Sequence, residues 1–331
     1  DSLQGLILNE EIARVKSKKF IAINYNFQMT QDYINRLGDQ KQKDTYLLKD
    51  KGKVLIGCNA TYENFDFTNL SSINTIAKRE GDYYLINGSK KIVASGIKSD
   101  YFIISCKISN GKQSNGLSLI IIPRFLNGVD VTKKLIIEDF NEGFKTIRFD
   151  NLEVPIENLL GKENQSLDYI FNQNLIGSLS ESSTSVSISE LNLKTIVEYV
   201  NTQEHKGEKG SKIQSVRHTI AQMLTEFQCS KQFLYTLYSR FLKEDDLYKE
   251  IMMLKYISAK LEDKVKSNCL KIFYEFGFSE KYSTPDFINS EGTNLSENTS
   301  NALLDIISNS IIDNQSTKTK SKLKKVKTLA R

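Results

Sequence analysis

The chain of 331 residues is 39% apolar, which is enough to bury a core in two or three domains. Its formal net charge is +5, but the last fourteen residues hold seven of the 45 basic side chains and no acid, leaving 38 basic against 40 acidic residues. The body therefore offers no broad basic surface to an anionic partner, and no apolar run reaches the roughly 18–20 residues of a transmembrane helix.

Residues 1–53 are predicted to be helical, because apolar side chains recur there at intervals of three or four residues. The chain start, Asp1 to Gln4, lacks the basic-then-apolar pattern of a signal peptide. The recurring side chains are Leu6, Leu8, Ile12, Val15, Met29, Tyr33, Ile34 and Leu37.

Short β-type runs separated by turns rich in Gly, Asn and Ser follow, up to about Pro155. We expect residues 54–158 to form an antiparallel β-barrel or sandwich, with no parallel pair anywhere and no strand beyond residue 165. The predicted strands are residues 54–60, 73–78, 83–86, 91–94, 101–107, 117–123 and 144–150.

A hairpin is predicted inside this region, where Tyr84, Leu85 and Ile86 run into Asn87-Gly88. That dipeptide supplies the two positive φ angles of a type I′ turn. The last strand should leave the sheet at Val154-Pro155, since proline cannot donate to a strand ladder.

Long helices are predicted from about residue 163 onward, near residues 165–200, 212–243, 247–275 and 300–314. Apolar side chains there step by three, four or seven residues, which is typical of the core face of a helix and not of a cofactor site. They include Val216, Ile220, Met223, Phe227, Leu234, Leu237, Phe241, Leu247, Ile251, Leu254, Leu261, Val265 and Ile272.

Cys58, Cys106, Cys229 and Cys269 lie far apart without C-x-x-C spacing, so neither a zinc site nor a disulfide framework is indicated. Four reduced thiols suggest a cytoplasmic protein, or a mitochondrial-matrix protein if the source is eukaryotic. The basic segment 316–331 is predicted to be a solvated, disordered tail. The alternative is that it contacts a nucleic acid or an anionic membrane, because Leu323, Val326 and Leu329 fall at helical spacing.

Two segments carry a resemblance to a known family. They read Glu80-Gly-Asp-Tyr-Tyr-Leu-Ile-Asn-Gly-Ser-Lys90 and Ile147-Arg-Phe-Asp-Asn-Leu-Glu-Val-Pro-Ile-Glu-Asn-Leu-Leu-Gly161. In that order they resemble the middle β-domain of the acyl-CoA dehydrogenases, flavoproteins that oxidise acyl thioesters.

Further motifs extend the resemblance from residue 3 to about residue 313. Leu6-Ile-Leu-Asn-Glu-Glu-Ile-Ala13 is similar to the family's "isEElA" helix, and Gly38-Asp-Gln-Lys-Gln-Lys-Asp-Thr-Tyr-Leu47 to its "GndeQKkkYL". Glu204-His-Lys-Gly207 with Gln214 resembles "R.qFG.p…Q". Family members usually carry more helix before this start, which implies a deletion or a boundary there.

The resemblance implies an α+β fold of the acyl-CoA dehydrogenase type: N-terminal helices, a middle antiparallel β-barrel or sandwich, and a C-terminal four-helix bundle. The implied domains are a helical remnant at 1–53, a β-domain at 54–160, a bundle at 161–315 and the basic tail. It also implies a homodimer or homotetramer paired through the bundle, with acyl-CoA and FAD as ligands if the chain is active.

In the family, a glutamate in a "yEGTs.iqr" turn removes the α-proton of the acyl thioester while the β-hydrogen leaves as hydride to the flavin. Two placements compete here. Glu297 leads into the helix of Ala302 with nearly the family's spacing, whereas Glu291 in Glu291-Gly292-Thr293 matches the letters but lies too early. We favour Glu297 as the base and keep Glu291 as the alternative. A further alternative is that the glutamate only caps the start of a helix and has no catalytic role.

The resemblance also places the FAD contacts. The family's "teP.aGSD" loop aligns to residues 62–69, with Phe65 and Phe67 at its glycines, and its "WiT" strand becomes Ile92-Val93-Ala94. Tyr274-Glu275 replaces Gly-Gly beside the ADP half. The cofactor-binding positions are Thr61, Tyr62, Thr68, Ala94, Gln203, Lys206, Gln214, Gly277 and Thr299.

Three hypotheses follow: a working FAD-dependent dehydrogenase, a cofactor-free pseudoenzyme that serves as a scaffold or assembly subunit, and a divergent relative with another flavin or acyl-thioester activity. For the pseudoenzyme we expect aromatic side chains to fill the cofactor cleft, because such groups would not stay exposed in an empty groove. Glu275 would then face solvent or pair with Lys206 or Lys271. The filling side chains would be Phe65, Phe67, Tyr274 and Phe276.

Overall fold

The computed structural model describes residues 2–14, 18–47, 54–63, 73–109, 116–126, 129–130, 136–141, 144–205, 207–241, 246–276 and 297–312. The chain forms two compact units, which we call the β unit (Ala22–Asn174) and the helical unit (Asp1–Ile21 with Leu175–Arg331). The boundaries at 53/54 and 160/161 that the sequence suggests stay predictions. The basic tail lies outside the described residues.

Seven α-helices are described, and the four predicted after residue 163 are found within three residues of the expected bounds. The N-terminal region is helical, as predicted. The helices are α1 (Ser2–Arg14), α2 (Lys18–Leu37), α3 (Gln40–Tyr46), α4 (Leu167–Thr202), α5 (Gln214–Phe241), α6 (Tyr248–Phe276) and α7 (Glu297–Ile312). Among the described residues, none of these helices combines the length and apolar character of a membrane span.

Twelve strands are described, ten of them between residues 57 and 160. They are β1 (Gly57–Ala60), β2 (Ile76–Glu80), β3 (Tyr83–Val93), β4 (Tyr101–Ser109), β5 (Ser118–Pro123), β6 (Phe125–Leu126), β7 (Val129–Asp130), β8 (Ile136–Asn141), β9 (Phe144–Pro155), β10 (Leu159–Leu160), β11 (Glu204–His205) and β12 (Glu208–Lys209). As predicted, β9 ends at Pro155, and a short 3₁₀ helix follows.

The main sheet has the order β10-β5-β4-β2-β3-β9-β8, and β1 also pairs with β4. Since β5 takes one edge of β4, β1 and β2 share the other edge: β1 pairs with Tyr101–Ile104 and β2 with Lys107–Ser109. An isolated bridge joins Tyr62 to Lys91 of β3. The segments β1 and β2 therefore act as one strand between β3 and β4, interrupted opposite Ser105 and Cys106.

This arrangement corrects the prediction of a purely antiparallel sheet. Both β1 and β2 run parallel to β4, whereas the pairs formed by β3, β5, β8 and β9 are antiparallel. The sheet is mixed because the chain returns to the same edge of β4 twice in the same direction. The small β11–β12 ladder also contradicts the expectation of no strand beyond residue 165.

The predicted turn at Asn87-Gly88 is wrong as well, because β3 runs without interruption through both residues. The β2–β3 turn lies earlier, where Glu80 pairs with Tyr83 and Gly81 has φ +59°. The register instead shifts between Ile86 and Gly88. At Gly88 (φ +146°) an added Cβ would lie 2.5 Å from the Thr75 hydroxyl oxygen, so glycine allows a close approach rather than a turn.

Two apolar clusters hold the β unit together, and β4 contributes to both. Phe102, Ile104 and Cys106 face the interior of the β-structure, while Tyr101 and Ile103 face a second cluster. The second cluster also contains Tyr33 and Ile34 of α2 and Ile170 of α4. Because both faces of β4 are covered, its sequence is almost continuously apolar.

The short helix α3 is fixed by its first turn. Asp39 accepts a hydrogen bond from the Gln42 backbone N–H at 2.7 Å, and the Gln42 side chain accepts one from the Asp39 N–H at 3.1 Å, which completes a capping box. The same Gln42 amide donates to the carbonyls of Glu157 and Leu159. This buried side chain therefore connects α3 to the 3₁₀ helix that follows β9 and to β10.

The helical unit buries the apolar stripes that the sequence indicates. Val216, Met223, Leu234 and Leu237 of α5 are buried. The predicted apolar positions of α6 are buried as well, namely Ile251, Leu254, Leu261, Val265 and Ile272. Tyr199 of α4 stacks on Phe273 of α6 with ring centroids 4.1 Å apart. Helix α4 instead buries a run of small hydroxyl residues, which bond to carbonyls one turn earlier, such as Ser182 to Ser178 and Ser189 to Ser185.

Candidate functional site

Strand pairing stops between β1 and β2, so buried backbone groups at this point of the β unit need side-chain partners. Directly after β1, Thr61 is fully buried, and its carbonyl accepts a 2.6 Å hydrogen bond from the Ser105 hydroxyl. The Thr61 hydroxyl has no hydrogen-bond partner among the described residues. Thr61 is one of the positions that the sequence suggests for FAD.

Tyr62, the next predicted position, is held by backbone and side chain. Its carbonyl accepts a 2.8 Å bond from the N–H of Lys91. Its phenol donates to the Asn174 side-chain oxygen on α4. The ring packs against the cluster that contains Tyr33 and Ile34. The polar end of Tyr62 is therefore engaged within the β unit.

A buried ion pair fills the gap in the strand. Lys90 of β3 is completely buried, and its ammonium lies 3.1 Å from the Glu63 carboxylate, which is 11% exposed. The same ammonium donates to the Ser105 hydroxyl at 2.9 Å. Glu63 also accepts from the Asn74 N–H at 2.7 Å, the Thr75 N–H at 2.7 Å and the Thr75 hydroxyl at 2.6 Å. We call Glu63, Lys90, Thr75 and Ser105 the strand-gap cluster.

The electrostatics of this cluster follow from burial. Burial lowers the pKa of Lys90 to about 8, although the attraction of Glu63 opposes that shift. For Glu63, burial alone would raise the pKa, but Lys90 and the bonds from Thr75 and Asn74 together hold it below its ordinary value. Burial raises the pKa of the neighbouring Cys106 to about 12, so this thiol stays neutral. At neutral pH the cluster thus contains one anion and one cation.

Sequence reasoning missed this cluster, although a signal was present. Strand alternation puts Lys90 on the same inward face as Tyr84, Ile86 and Ile92. A lysine at such a position needs a counter-charge. Glu63 was not identified as that partner because it lies 27 residues away in sequence.

Ile92 lies in the strand that the resemblance places against the flavin. Its side chain is buried in the apolar interior of the β unit. Ala94 begins the 3₁₀ helix Ala94–Lys98 and brings no hydroxyl. Thr68 lies outside the described residues. Within the β unit, the structure thus places Thr61 and Tyr62 at the end of β1 and Ala94 just beyond β3.

The other predicted positions belong to the helical unit. Gln203 follows α4, where its N–H bonds to the Tyr199 carbonyl and its carbonyl accepts from Gly210. Gln214 is the exposed first residue of α5. Glu297 and Thr299 lie in the first turn of α7. Lys206, Gly277 and Glu291 lie outside the described residues.

The expected filling of a cofactor cleft is not supported at Tyr274, which is 64% exposed. Its neighbours Ile272 and Phe273 occupy the buried face of α6, and the helical rotation of about 100° per residue turns position 274 away from it. Phe65 and Phe67 lie outside the described residues. Glu275 and Phe276 are the last two residues of α6, and Lys271 is exposed.

Neither a metal site nor a disulfide was predicted from the sequence. Cys58, Cys106 and Cys269 are free and buried, and Cys229 is free and exposed. Within the described ranges, no group of three or more His, Cys, Asp or Glu residues is arranged to hold a metal ion.

Two family models match the chain over most of its length. The acyl-CoA dehydrogenase middle domain matches residues 63–151, and the acyl-CoA dehydrogenase C-terminal domain matches residues 179–312. The chain belongs to the acyl-CoA dehydrogenase family. The predicted family and its α+β fold class are thereby confirmed.

Characterised relatives agree with this assignment. The chain is 24% identical over 289 residues to a glutaryl-CoA dehydrogenase of Desulfococcus multivorans, covering 86% of this chain and 74% of the relative. It is also 24% identical over 320 residues to a mitochondrial short/branched chain specific acyl-CoA dehydrogenase of Bos taurus, covering 93% and 71%.

Solved structures show the same fold at low identity. An acyl-CoA dehydrogenase from Geobacillus kaustophilus superimposes with a TM-score of 0.81 at 22% identity, over 93% of this chain and 82% of that one. Butyryl-CoA dehydrogenase from Megasphaera elsdenii gives a TM-score of 0.77 at 20% identity, over 94% and 82%. At these identities the likeness concerns the fold and not the activity.

Proposed function

We propose that this chain is a non-catalytic member of the acyl-CoA dehydrogenase family that works without FAD as a scaffold or assembly subunit. The observation that carries the proposal is Tyr62. It stands where the family has the threonine of its "teP" loop, and its phenol is bonded to Asn174 while its ring packs on an apolar cluster. The threonine hydroxyl of the family is thus replaced here by a phenol that already donates its hydrogen bond to Asn174.

Two further positions support the same reading. Ile92 stands at the family's flavin-stacking tryptophan and is buried in the core, and Ala94 stands at the family's hydrogen-bonding threonine. A hydrogen bond contributes about 0.5–1.5 kcal/mol, and an aromatic stack contributes about as much. Since about 1.4 kcal/mol is tenfold in affinity, Tyr62, Ile92 and Ala94 fit FAD poorly. The Thr61 hydroxyl, which has no partner among the described residues, and the exposed Tyr274 do not add to this argument.

The absorbance spectrum of the purified chain tests this proposal. Butyryl-CoA dehydrogenase from Megasphaera elsdenii, purified and treated with FAD in the same way, serves as the positive control. We expect the chain to show no flavin absorption in the blue, before or after incubation with excess FAD and desalting. Stoichiometric flavin in the chain would overturn the proposal.

A working dehydrogenase acting on acyl-CoA is the second candidate, because α7 begins at Glu297, where the family's base precedes its last core helix. Loss of a positioned base costs typically about 10²–10⁴-fold in rate. If the chain oxidises an acyl-CoA with an artificial electron acceptor, Glu297→Gln should abolish turnover. Glu291→Gln should then leave it nearly unchanged, and the reverse result would assign the base to Glu291.

We further propose that the chain forms a homodimer or homotetramer through its helical unit. Leu224 of α5, Ile257 of α6 and Leu304 of α7 are 46%, 37% and 43% exposed in the single chain, respectively. If two copies pair through the helical unit, these side chains are positions that the contact would cover. Light scattering at micromolar concentration should give a mass of at least twice 37.7 kDa, and a monomeric mass would contradict this proposal.

The compartment is proposed to be the cytoplasm, or the mitochondrial matrix if the source is eukaryotic. The support is the similarity to mitochondrial relatives, such as that from Bos taurus. Fractionation of the source cells with an antibody against the chain tests this placement.

A further inference from the structure

The strand-gap cluster lies where regular strand pairing fails. Along one edge of β4, β1 pairs as far as Ile104 and β2 begins pairing at Lys107. Between them, no residue that the structure describes pairs with Ser105 or Cys106 on that edge. Buried backbone groups at such a break need other partners, because an unsatisfied buried group is costly.

Side chains of the cluster supply those partners on both sides of the break. On the β1 side, Ser105 donates to the Thr61 carbonyl. On the β2 side, Glu63 accepts from the N–H groups of Asn74 and Thr75 and from the Thr75 hydroxyl. One carboxylate therefore joins two stretches of backbone that are eleven residues apart.

Lys90 holds this arrangement from the neighbouring strand. Its ammonium contacts both Glu63 and Ser105. Lys90 thereby connects Glu63, which binds the backbone of Asn74 and Thr75, with Ser105, which binds the carbonyl of Thr61. The carbonyl of Tyr62 is also bonded to Lys91, the next residue of β3. Every one of these contacts lies inside the β unit.

We infer that Glu63 and Lys90 are positioning residues that hold the backbone on both sides of the strand gap, at Thr61 and at Asn74 and Thr75, through contacts within the chain. The charged and titratable groups around Lys90 are Glu63 and, on β4, Cys106 and Lys107. Glu63 is the group that neutralises it. The inference does not depend on whether the chain binds FAD, since it concerns only contacts within the chain.

Hydrogen exchange of single amides, measured by NMR on the whole chain, tests the inference. In the wild-type protein we expect the amides of Asn74 and Thr75 to be protected nearly as well as those of Phe102 and Ile104 in β4. Exchange at the rate of an unprotected loop would overturn the inference, and this measurement needs no variant to fold.

Variants then separate a positioning role from a general contribution to stability. In Glu63→Gln and in Lys90→Met, protection at Asn74 and Thr75 should fall at least tenfold more than at Phe102 and Ile104. An equal fall at all four amides would overturn the inference, because it would indicate only a loss of global stability. Thr75→Val, which removes one of the donors to Glu63, is the milder variant if the others do not fold.

Lys91→Met is the matched control, since Lys91 neighbours Lys90 on β3 but its ammonium bonds to Thr146. We expect unchanged protection at Asn74 and Thr75 in this variant. A fall as large as that in Lys90→Met would show that any lysine of β3 has the same effect, and it would also overturn the inference.

Discussion

The two units of this molecule handle charge in different ways. In the β unit, Lys90 and Glu63 form a buried pair whose members also bond to backbone and hydroxyl groups. In the helical unit, pairs such as Lys264–Glu226 join neighbouring helices on the surface, with side chains 44% and 47% exposed. The core of the β unit therefore includes an ion pair with fixed hydrogen-bond partners, whereas the Lys264–Glu226 pair of the helical unit is solvent-exposed.

Breaking one pair in each unit should give the largest contrast. Glu63→Gln leaves a buried ammonium without its counter-charge, which typically costs about 3–5 kcal/mol. Glu226→Gln removes an exposed partner and should cost less than about 1 kcal/mol. Urea unfolding of both variants measures the two free energies, and similar values would remove the contrast between the units.

The second prediction compares two glycines of the β unit. In Gly88→Ala the new Cβ would meet Thr75 at 2.5–2.8 Å, and the φ of +146° is itself unfavourable for alanine. We expect a loss of about 2–3 kcal/mol from strain. Gly81 has φ +59° but open space around its Cβ position, so Gly81→Ala should cost only about 1 kcal/mol. Equal losses in thermal or urea unfolding would mean that the contact with Thr75 is easily relieved.

The third prediction uses the pH dependence of stability. The pKa of Lys90 is about 8 in the folded chain and about 10.4 when unfolded. Between these values the unfolded state binds more protons, so this group adds stability as pH rises, with a slope of up to about 1.4 kcal/mol per pH unit. That stability is lost as pH falls from about 10.4 to about 8, and below pH 8 this group contributes no further change.

Tyrosines and cysteines that are buried in the folded chain titrate in this range once the chain is unfolded, so the informative quantity is a difference. The free energy of unfolding of the wild type minus that of Lys90→Met should increase between pH 8 and pH 10. A constant difference, measured by urea unfolding at each pH, would show that Lys90 is not held at a lowered pKa.

The smallest expected effect concerns the cap of α3. Asp39→Ala removes the acceptor for the Gln42 N–H, which should cost about 1 kcal/mol, as is typical of a lost N-cap. Asp44→Ala on the same helix is the control, because Asp44 is exposed and, among the described residues, accepts a hydrogen bond only from Gln40. A loss in Asp44→Ala as large as that in Asp39→Ala would rule out the cap as the cause.

Several features were predictable from local pattern. The long helices α5 and α6 follow from apolar residues at helical spacing, since a helix buries one stripe of its surface. The end of β9 follows from Pro155, because proline lacks the N–H of a ladder. The family follows from the motifs around Gly88 and Pro155, which persist although the positions linked to the cofactor have changed.

The tertiary structure alone decided the rest. Asn87-Gly88 has the letters of a turn, but pairing with β2 and β9 makes it part of a continuous strand. Gly88 there allows the close approach of Thr75, the residue before β2. The parallel pairing of β1 and β2 with β4 depends on which edge of β4 is open, and no local sequence records that. Lys90 and Glu63 are 27 residues apart in sequence, and only the folded sheet brings their charged groups within 3.1 Å of each other.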